Sequence, residues 1–433
     1  MTVSDPADSR AATAPVEAPA EPPDEAPATT AVPLLEPRDG LPDVITTRQA
    51  LAAAAEALAS GTGPIAVDAE RASGYRYGHR AYLLQIRRHG TGTLLVDPVE
   101  FDDLTVLAEP LAQAEWVLHA ASQDLPCLSD VGLRPPSLFD TELAGRLLGH
   151  PRVGLGPMCE SVLGLALEKG HAAVDWSTRP LPESWLRYAA LDVEVLVELR
   201  DALAAELEST GKTEWARQEF AAVASAPPPP PRTDPWRRTS GMHRVRKPRQ
   251  MAVVRELWQA RDELARARDI SPGRVLPDRA IVDAALAMPS SQEELVTLPI
   301  FGGRGNRRQA ARWFAAIERG RTCPDADLPP HTLTSDGPPP ARSWGDKNPE
   351  AAARLAVLRP AVAAIADEHN VPTENLLLPD TVRRIAWEPP DEPSVDAVVE
   401  RLVAHGARPW QIELTARPIA KALDRVSRES QTS

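Results

Sequence analysis

The chain has 433 residues, 43% of them apolar, and a formal charge of -13 from 61 acidic and 48 basic side chains. That length corresponds to about three domains, and 45 prolines, about twice the roughly 5% share usual in globular chains, point to tails and spacers between them. Three scattered cysteines, Cys127, Cys159 and Cys323, exclude a disulfide framework and a Cys-based zinc pattern, and with neither a signal-peptide pattern nor an apolar run near the roughly 18 residues of a membrane helix the expectation is a cytoplasmic protein with no membrane partner.

Residues 1–40 hold eight prolines and eight acids against two basic residues. Such a stretch buries too little apolar surface to offset its ordering entropy, and reads as a disordered acidic tail. Residues 41–231 carry 26 acids and 15 basic residues, net -11, and end in the run Pro227 to Pro231, a semi-rigid spacer. Residues 232–320 reverse the sign, with 18 basic against 10 acidic residues, net +8. Residues 321–433 return to net -4, with 13 basic against 17 acidic. An acidic domain tethered to a basic module suits carboxylates that hold cations beside a surface that meets a polyanion.

In the acidic block, Gly63 to Glu70 reads as a buried strand built on Ile65, Ala66 and Val67. Asp68 and Glu70 are two apart, so an extended strand puts both carboxylates on one side. Two buried carboxylates repel unless a cation lies between them, and hard oxygen ligands suit Mg²⁺ or Mn²⁺; the bland alternative is a pair of solvated acids at a strand end. Ala81–Ile86 and Gly92–Asp97 read as a meander after the first strand. Trp116 to Ala120 reads as a short strand, followed by a helix from Ser122 whose first turn holds Asp124 ionised. Phe139 to Thr141 opens a further helix, Glu142–Leu148. A helix from about Glu183 to Leu207 carries Tyr188 and Asp192 four apart, hence adjacent on one face.

Together these motifs resemble the DEDD superfamily of 3′-5′ exonucleases in its tyrosine-bearing branch: Asp68-Ala-Glu70, His119-Ala-Ala-Ser-Gln-Asp124, and Tyr188-Ala-Ala-Leu-Asp192. The segments Asp175–Leu181 and Gly211–Glu219 resemble ribonuclease D, over roughly residues 42–221. The first motif has Ala69 where many members carry Thr, which leaves both carboxylates in place.

The resemblance implies an α/β, ribonuclease H-like mixed-sheet domain using two divalent cations, Mg²⁺ or Mn²⁺, to release nucleoside 5′-monophosphates from RNA 3′ ends, with tRNA precursors among the expected substrates. In that scheme Asp68 bridges the cations, Glu70 and Asp192 complete the nucleophile side, Asp124 serves the leaving-group side, and Tyr188 orients the attacking water. Gln85, His119 and Arg179 are candidate substrate contacts, each with an equally ordinary structural reading. The loop Arg71–Arg80, with Tyr75 and Tyr77, is a candidate lining for the strand entrance.

The basic run Trp236–Arg249 reads either as a phosphate-contacting arm or as a solvated linker. Helices over 250–267 and 278–287, then Leu295–Pro299 and Gln309–Glu318, resemble the HRDC domain, the helicase and ribonuclease D C-terminal module. Arg304, Arg307, Arg308 and Arg312 are its candidate nucleic-acid contacts. The last block echoes the pattern: Arg354–Pro360 leads into Ala361–Glu368, then Asn375–Asp380, Thr381–Trp387, Val395–His405 and a helix from Leu414 to about Val426. It reads as a diverged second HRDC-like domain that packs against the catalytic domain and shapes its entrance. The expected division is a tail (1–40), an exonuclease domain (41–221), a linker (222–244), an HRDC domain (245–322), a linker (323–348) and a second HRDC-like domain (349–428). Two alternatives stay open: a DNA 3′-5′ exonuclease, and a catalytically silent RNA-binding adaptor.

Overall fold

The computed structural model describes residues 31–168, 170, 173–228, 230–331 and 337–432, with side chains to residue 429. The acidic tail expected over 1–40 lies outside the described residues as far as residue 30. The remainder of that stretch is ordered, which corrects the expectation. Strand β1 (Val32–Leu34) pairs in parallel with β8 (Leu165–Leu167), and Arg87–Asp39 and Arg187–Glu36 ion pairs fasten the segment to the domain.

The catalytic sheet contains β2 (Val44–Ile45), β3 (Thr62–Arg71), β4 (Ala81–His89), β5 (Gly92–Val96), β6 (Trp116–Leu118) and β7 (Leu138–Asp140), in the order β2-β5-β4-β3-β6-β7. β3, β4 and β5 form the expected antiparallel meander, while β6 and β7 continue the sheet in parallel. Ile65, Ala66 and Val67 are buried at the sheet centre, which explains why this apolar run is a strand covered on both faces. Helix α1 (Arg48–Ser60), capped by the Thr47 hydroxyl, precedes β3. Further on come α2 (Leu125–Asp130), α3 (Thr141–Leu148), α4 (Glu183–Glu194), α5 (Leu196–Ser209) and α6 (Thr213–Ser225). The single helix expected from Glu183 to Leu207 is thus two, broken at Val195. Phe139 and Asp140 end strand β7, and Asp140 caps the helix that opens at Thr141, as the sequence suggested.

The basic block contains α7 (Pro248–Arg268), α8 (Asp278–Ala287) and α9 (Ala310–Thr322) around its own apolar core. Trp236 and Val245 are buried in that core, so the Trp236–Arg249 run is not a solvated linker, while Arg238, Arg246 and Lys247 on it stay exposed. Arg237 stacks on the Trp236 ring at 4.4 Å, and Arg249 donates to the carbonyls of Arg321 and Cys323. The packed core of this block thus takes in Trp236, ahead of Pro248.

The last block contains α10 (Pro349–Glu368), α11 (Pro379–Trp387), α12 (Val395–Ala404) and α13 (Pro409–Thr432). The segments Arg354–Pro360 and Ala361–Glu368 form one helix, α10, which runs through Pro360 as α13 runs through Pro418. Buried Leu358 and Val362 flank Pro360, and this packing offsets the backbone hydrogen bond a proline removes. The block shares one continuous apolar core with the catalytic domain. Trp215 of α6 stacks on Trp410 with ring centroids 4.7 Å apart, and Trp410 Nε1 donates to Glu219. Lys212 Nζ donates to the carbonyl oxygens of Leu147 and Asn370, and Asn370 Nδ2 to that of Leu148. Gly149, with φ +78°, lies so close to Asn370 that a Cβ would meet its backbone oxygen at 2.6 Å. Among the described residues, no helix is long and apolar enough to cross a membrane.

Candidate active site

The two-residue period of β3 carries Asp68 and Glu70 to one side of its C-terminal end. The register with β4 slips between Glu70 and Arg71, a bulge that turns the strand end and accounts for consecutive residues reaching one cleft. β6 stops at Leu118. The chain then turns through Ala120, a non-glycine residue held at φ 58°. Asp140 holds this turn: its carboxylate accepts from the backbone N–H groups of Ala120, Ala121, Glu142 and Leu143 at 2.8–3.2 Å. One side chain thereby secures the second motif and caps α3. Sequence reading passed over Asp140 as part of a structural helix start; an Asp immediately before a helix was the available signal.

The cleft so formed has a volume of about 520 Å³ and is lined by Asp68, Glu70, Asp124, Tyr188, Asp192 and His119, with Arg71 beside them. All five residues of the three sequence motifs meet here. Among the described residues, Asp68, Glu70 and Asp192 bring carboxylate oxygens within 4.8 Å of one another. Asp124 does not join that trio; its carboxylate lies 3.2 Å from the Arg71 guanidinium. Arg71 is a cleft residue that sequence reading placed only generally, in the loop after the first motif.

Burial raises every acid in the cluster, and their mutual repulsion adds to it for all but Asp68. Asp68 is pushed up to about 6 by burial. Glu70 is pushed up to about 10 by burial and then by Asp68, Asp192 and Asp124. Asp124 rises to about 8, by burial and then Asp68, and its side chain makes no helix-capping bond. The expectation that a helix start keeps Asp124 ionised is therefore corrected for the metal-free fold. Burial also raises Asp192 well above the carboxylate range and keeps Tyr188, which hydrogen-bonds to it, a neutral phenol. A buried oxygen-only donor set whose charges oppose one another fits a hard divalent cation.

His119 lies at the cleft wall. Its Nδ1 is 2.9 Å from the Thr141 hydroxyl, and burial lowers it to about 4, so the imidazole is neutral. The other two proposed substrate contacts are corrected. Gln85 faces Asp68 across the β3–β4 ladder but is fully buried, sealed from an incoming nucleotide. Arg179 is committed to Asp97 at 2.6 Å and to the carbonyls of Tyr82, Trp176 and Thr178. Arg304, Arg307 and Arg308 are exposed and without an ion pair among the described residues, whereas Arg312 lies 3.9 Å from Glu263. Tyr75 and Tyr77 contact the basic block, through Arg274 and Asp262 respectively.

Comparison with known proteins agrees with this geometry. Residues 42–208 match the family model described as 3′-5′ exonuclease, residues 250–317 the HRDC domain, and residues 337–423 the 3′ to 5′ exonuclease C-terminal domain. The chain is 31% identical over 304 residues to ribonuclease D of Granulibacter bethesdensis, covering 68% of this chain and 73% of that protein. It is 30% identical over 300 residues to ribonuclease D of Escherichia coli, covering 66% and 76%. The crystal structure of Escherichia coli RNase D, an exoribonuclease involved in structured RNA processing, superposes with a TM-score of 0.64 at 25% identity over 88% of this chain and 98% of that one. A Bifidobacterium adolescentis protein superposes with a TM-score of 0.84 at 35% identity, covering 91% and 100%.

Proposed function

The chain belongs to the ribonuclease D family and is a metal-dependent 3′-5′ exoribonuclease, and on that premise we propose that it trims structured RNAs such as tRNA precursors in the cytoplasm. The observation that carries this reading is the Asp68, Glu70 and Asp192 cluster, with oxygens within 4.8 Å of one another in a cleft shared with Asp124 and Tyr188. Divalent cations held by these acids would supply the positive charge that activates a water and stabilises the phosphoryl oxygens. The chain's own residues do the rest. Asp68, Glu70 and Asp192 hold the nucleophile side, and Asp124 with Arg71 holds the leaving-group side. Tyr188 remains a phenol and orients the water by hydrogen bonding, because burial and the neighbouring acids oppose its ionisation. His119, neutral, offers the cleft a hydrogen-bonding edge without adding charge.

The exposed Arg304, Arg307 and Arg308 supply positive charge for RNA phosphates beyond the cleft, and Arg312 adds to it. The C-terminal block is a diverged second HRDC-like domain. Both blocks open on a long helix followed by a shorter one, α7 then α8 and α10 then α11, which supports a common ancestry of the two modules. Three free, buried cysteines are in keeping with a reducing compartment. The test is incubation of the purified chain with matched 3′-tailed RNA and DNA, with Mg²⁺ or Mn²⁺, beside Asp68→Ala. RNA-selective, metal-dependent shortening that Asp68→Ala abolishes is the expected result. Preference for DNA overturns the substrate, and tight RNA binding without shortening overturns the activity.

A further inference from the structure

The two tyrosines that follow the first motif join two parts of the molecule. The loop after β3 leaves the cleft at Glu70 and Arg71 and returns at Ala81. Within it, Tyr77 Oη donates to the Asp262 carboxylate at 3.0 Å and accepts from Arg266. The Tyr77 backbone N–H donates to Asp269 at 3.2 Å. The Tyr75 carbonyl accepts from the Ser271 N–H at 2.9 Å, and the Gly74 carbonyl accepts from Arg274 Nε at 2.8 Å. The Arg274 guanidinium lies 4.0 Å over the Tyr75 ring, close enough for a cation–π contact. Among the described residues, the hydrogen bonds that join the basic block to the catalytic domain end on Gly74, Tyr75 and Tyr77. That block has a separate apolar core, so this loop and the chain linker hold it in place.

The same loop forms a wall of the site. A cavity of about 340 Å³ lined by Glu70, Arg71, Gly74 and Tyr75 adjoins the catalytic cleft, and Tyr75 Oη reaches the Ala173 carbonyl at its rim. The contacts to the basic block thus begin four residues after Glu70, at the edge of the cleft.

We propose that Tyr75 and Tyr77, with Asp262, Arg266 and Arg274, are positioning residues that clasp the basic helical block at the cleft rim and set how a structured RNA is presented to the metal cluster. The proposal rests on the exoribonuclease reading above. A short single-stranded oligoribonucleotide occupies only the cleft and does not need the clasp. A hairpin with a 3′ tail spans cleft and block, so it does. Loss of the clasp removes binding that ground state and transition state share, which raises KM and leaves kcat.

The experiment uses the full chain carrying Tyr77→Phe with Arg274→Ala, and separately Arg274→Lys, which keeps a cation over the Tyr75 ring. For the double variant the expected result is a KM about tenfold higher on the tailed hairpin, with kcat and the short-oligonucleotide constants within about twofold of wild type. Arg274→Lys should fall between the two. Small-angle scattering of the RNA-free proteins should report a larger radius of gyration for the double variant. An unchanged ratio of hairpin to short-substrate KM, or an unchanged scattering profile, overturns the proposal. A wild type inert on both RNAs defeats the exoribonuclease reading instead, and scattering then decides whether the clasp exists.

Discussion

The helical block of α7 to α9 and the block of α10 to α13 follow the same catalytic domain and are attached to it in opposite ways. The first keeps its own core and meets the catalytic domain through a polar loop contact made by tyrosines, arginines and aspartates. The second merges its core with that domain and adds the Trp215–Trp410 stack and the Lys212 and Asn370 bonds. Charge follows the same division: net +8 over 232–320 and net -4 over 321–433. A module with a separate core and a surplus of positive charge is free to meet RNA. A module that shares a core with the catalytic domain acts as part of its scaffold. Polar surface contacts are worth little individually and weaken with salt, whereas a shared apolar core is lost only with the fold.

Four measurements break or sharpen that contrast, in descending order of effect. Trp410→Ala removes a buried indole from the shared core and should cost about 3–5 kcal/mol; calorimetry should register it in the catalytic domain's own transition, and a loss confined to the C-terminal block would break the shared-core account. Gly149→Ala puts a Cβ against the Asn370 backbone at a positive φ, and should cost about 2 kcal/mol in the same transition; an unchanged melting temperature would contradict the close approach.

The third measurement concerns the acids of the cleft. Asp68 and Asp124, raised to about 6 and about 8, bind more protons folded than unfolded. The metal-free protein should therefore lose stability as pH rises from about 4 through 8. Divalent cations compete with those protons, so the melting-temperature gain from Mn²⁺ should be larger at pH 8 than at pH 6. A difference of at least about 2–4 °C corresponds to about 1 kcal/mol in a domain of this size; a gain independent of pH would count against a carboxylate site. Last, Tyr77→Phe loosens a contact at the domain surface and should change the catalytic domain's stability by less than about 1 kcal/mol. A shift as large as that of Trp410→Ala would erase the contrast between the modules.

Much of the site was legible because its geometry is local. The two-residue period of a strand aligned Asp68 with Glu70, and the helical i,i+4 spacing aligned Tyr188 with Asp192. What escaped depends on partners distant in the chain or on elements too short to show a period. Val44–Ile45 and Leu138–Asp140 are strands of two and three residues, and Val32–Leu34 is a strand because Leu165–Leu167 lies beside it. Tyr77 read as part of the strand-entrance lining because nothing near it in sequence announces Asp262. Gln85 and Arg179 are polar residues of the kind that meets substrate, but burial and the Asp97 carboxylate, respectively, occupy them otherwise.

The central claim is that the clustered acids of one cleft hydrolyse RNA from its 3′ end. Mass spectrometry of the products from a 3′-tailed RNA and from the same RNA blocked at its 3′-hydroxyl, with wild type and Asp192→Asn, tests it most directly. The account predicts nucleoside 5′-monophosphates from the unblocked RNA only, in the presence of Mg²⁺ or Mn²⁺, and none from Asp192→Asn. Internal fragments, 3′-phosphate products, or equal release in the presence of a chelator would contradict it.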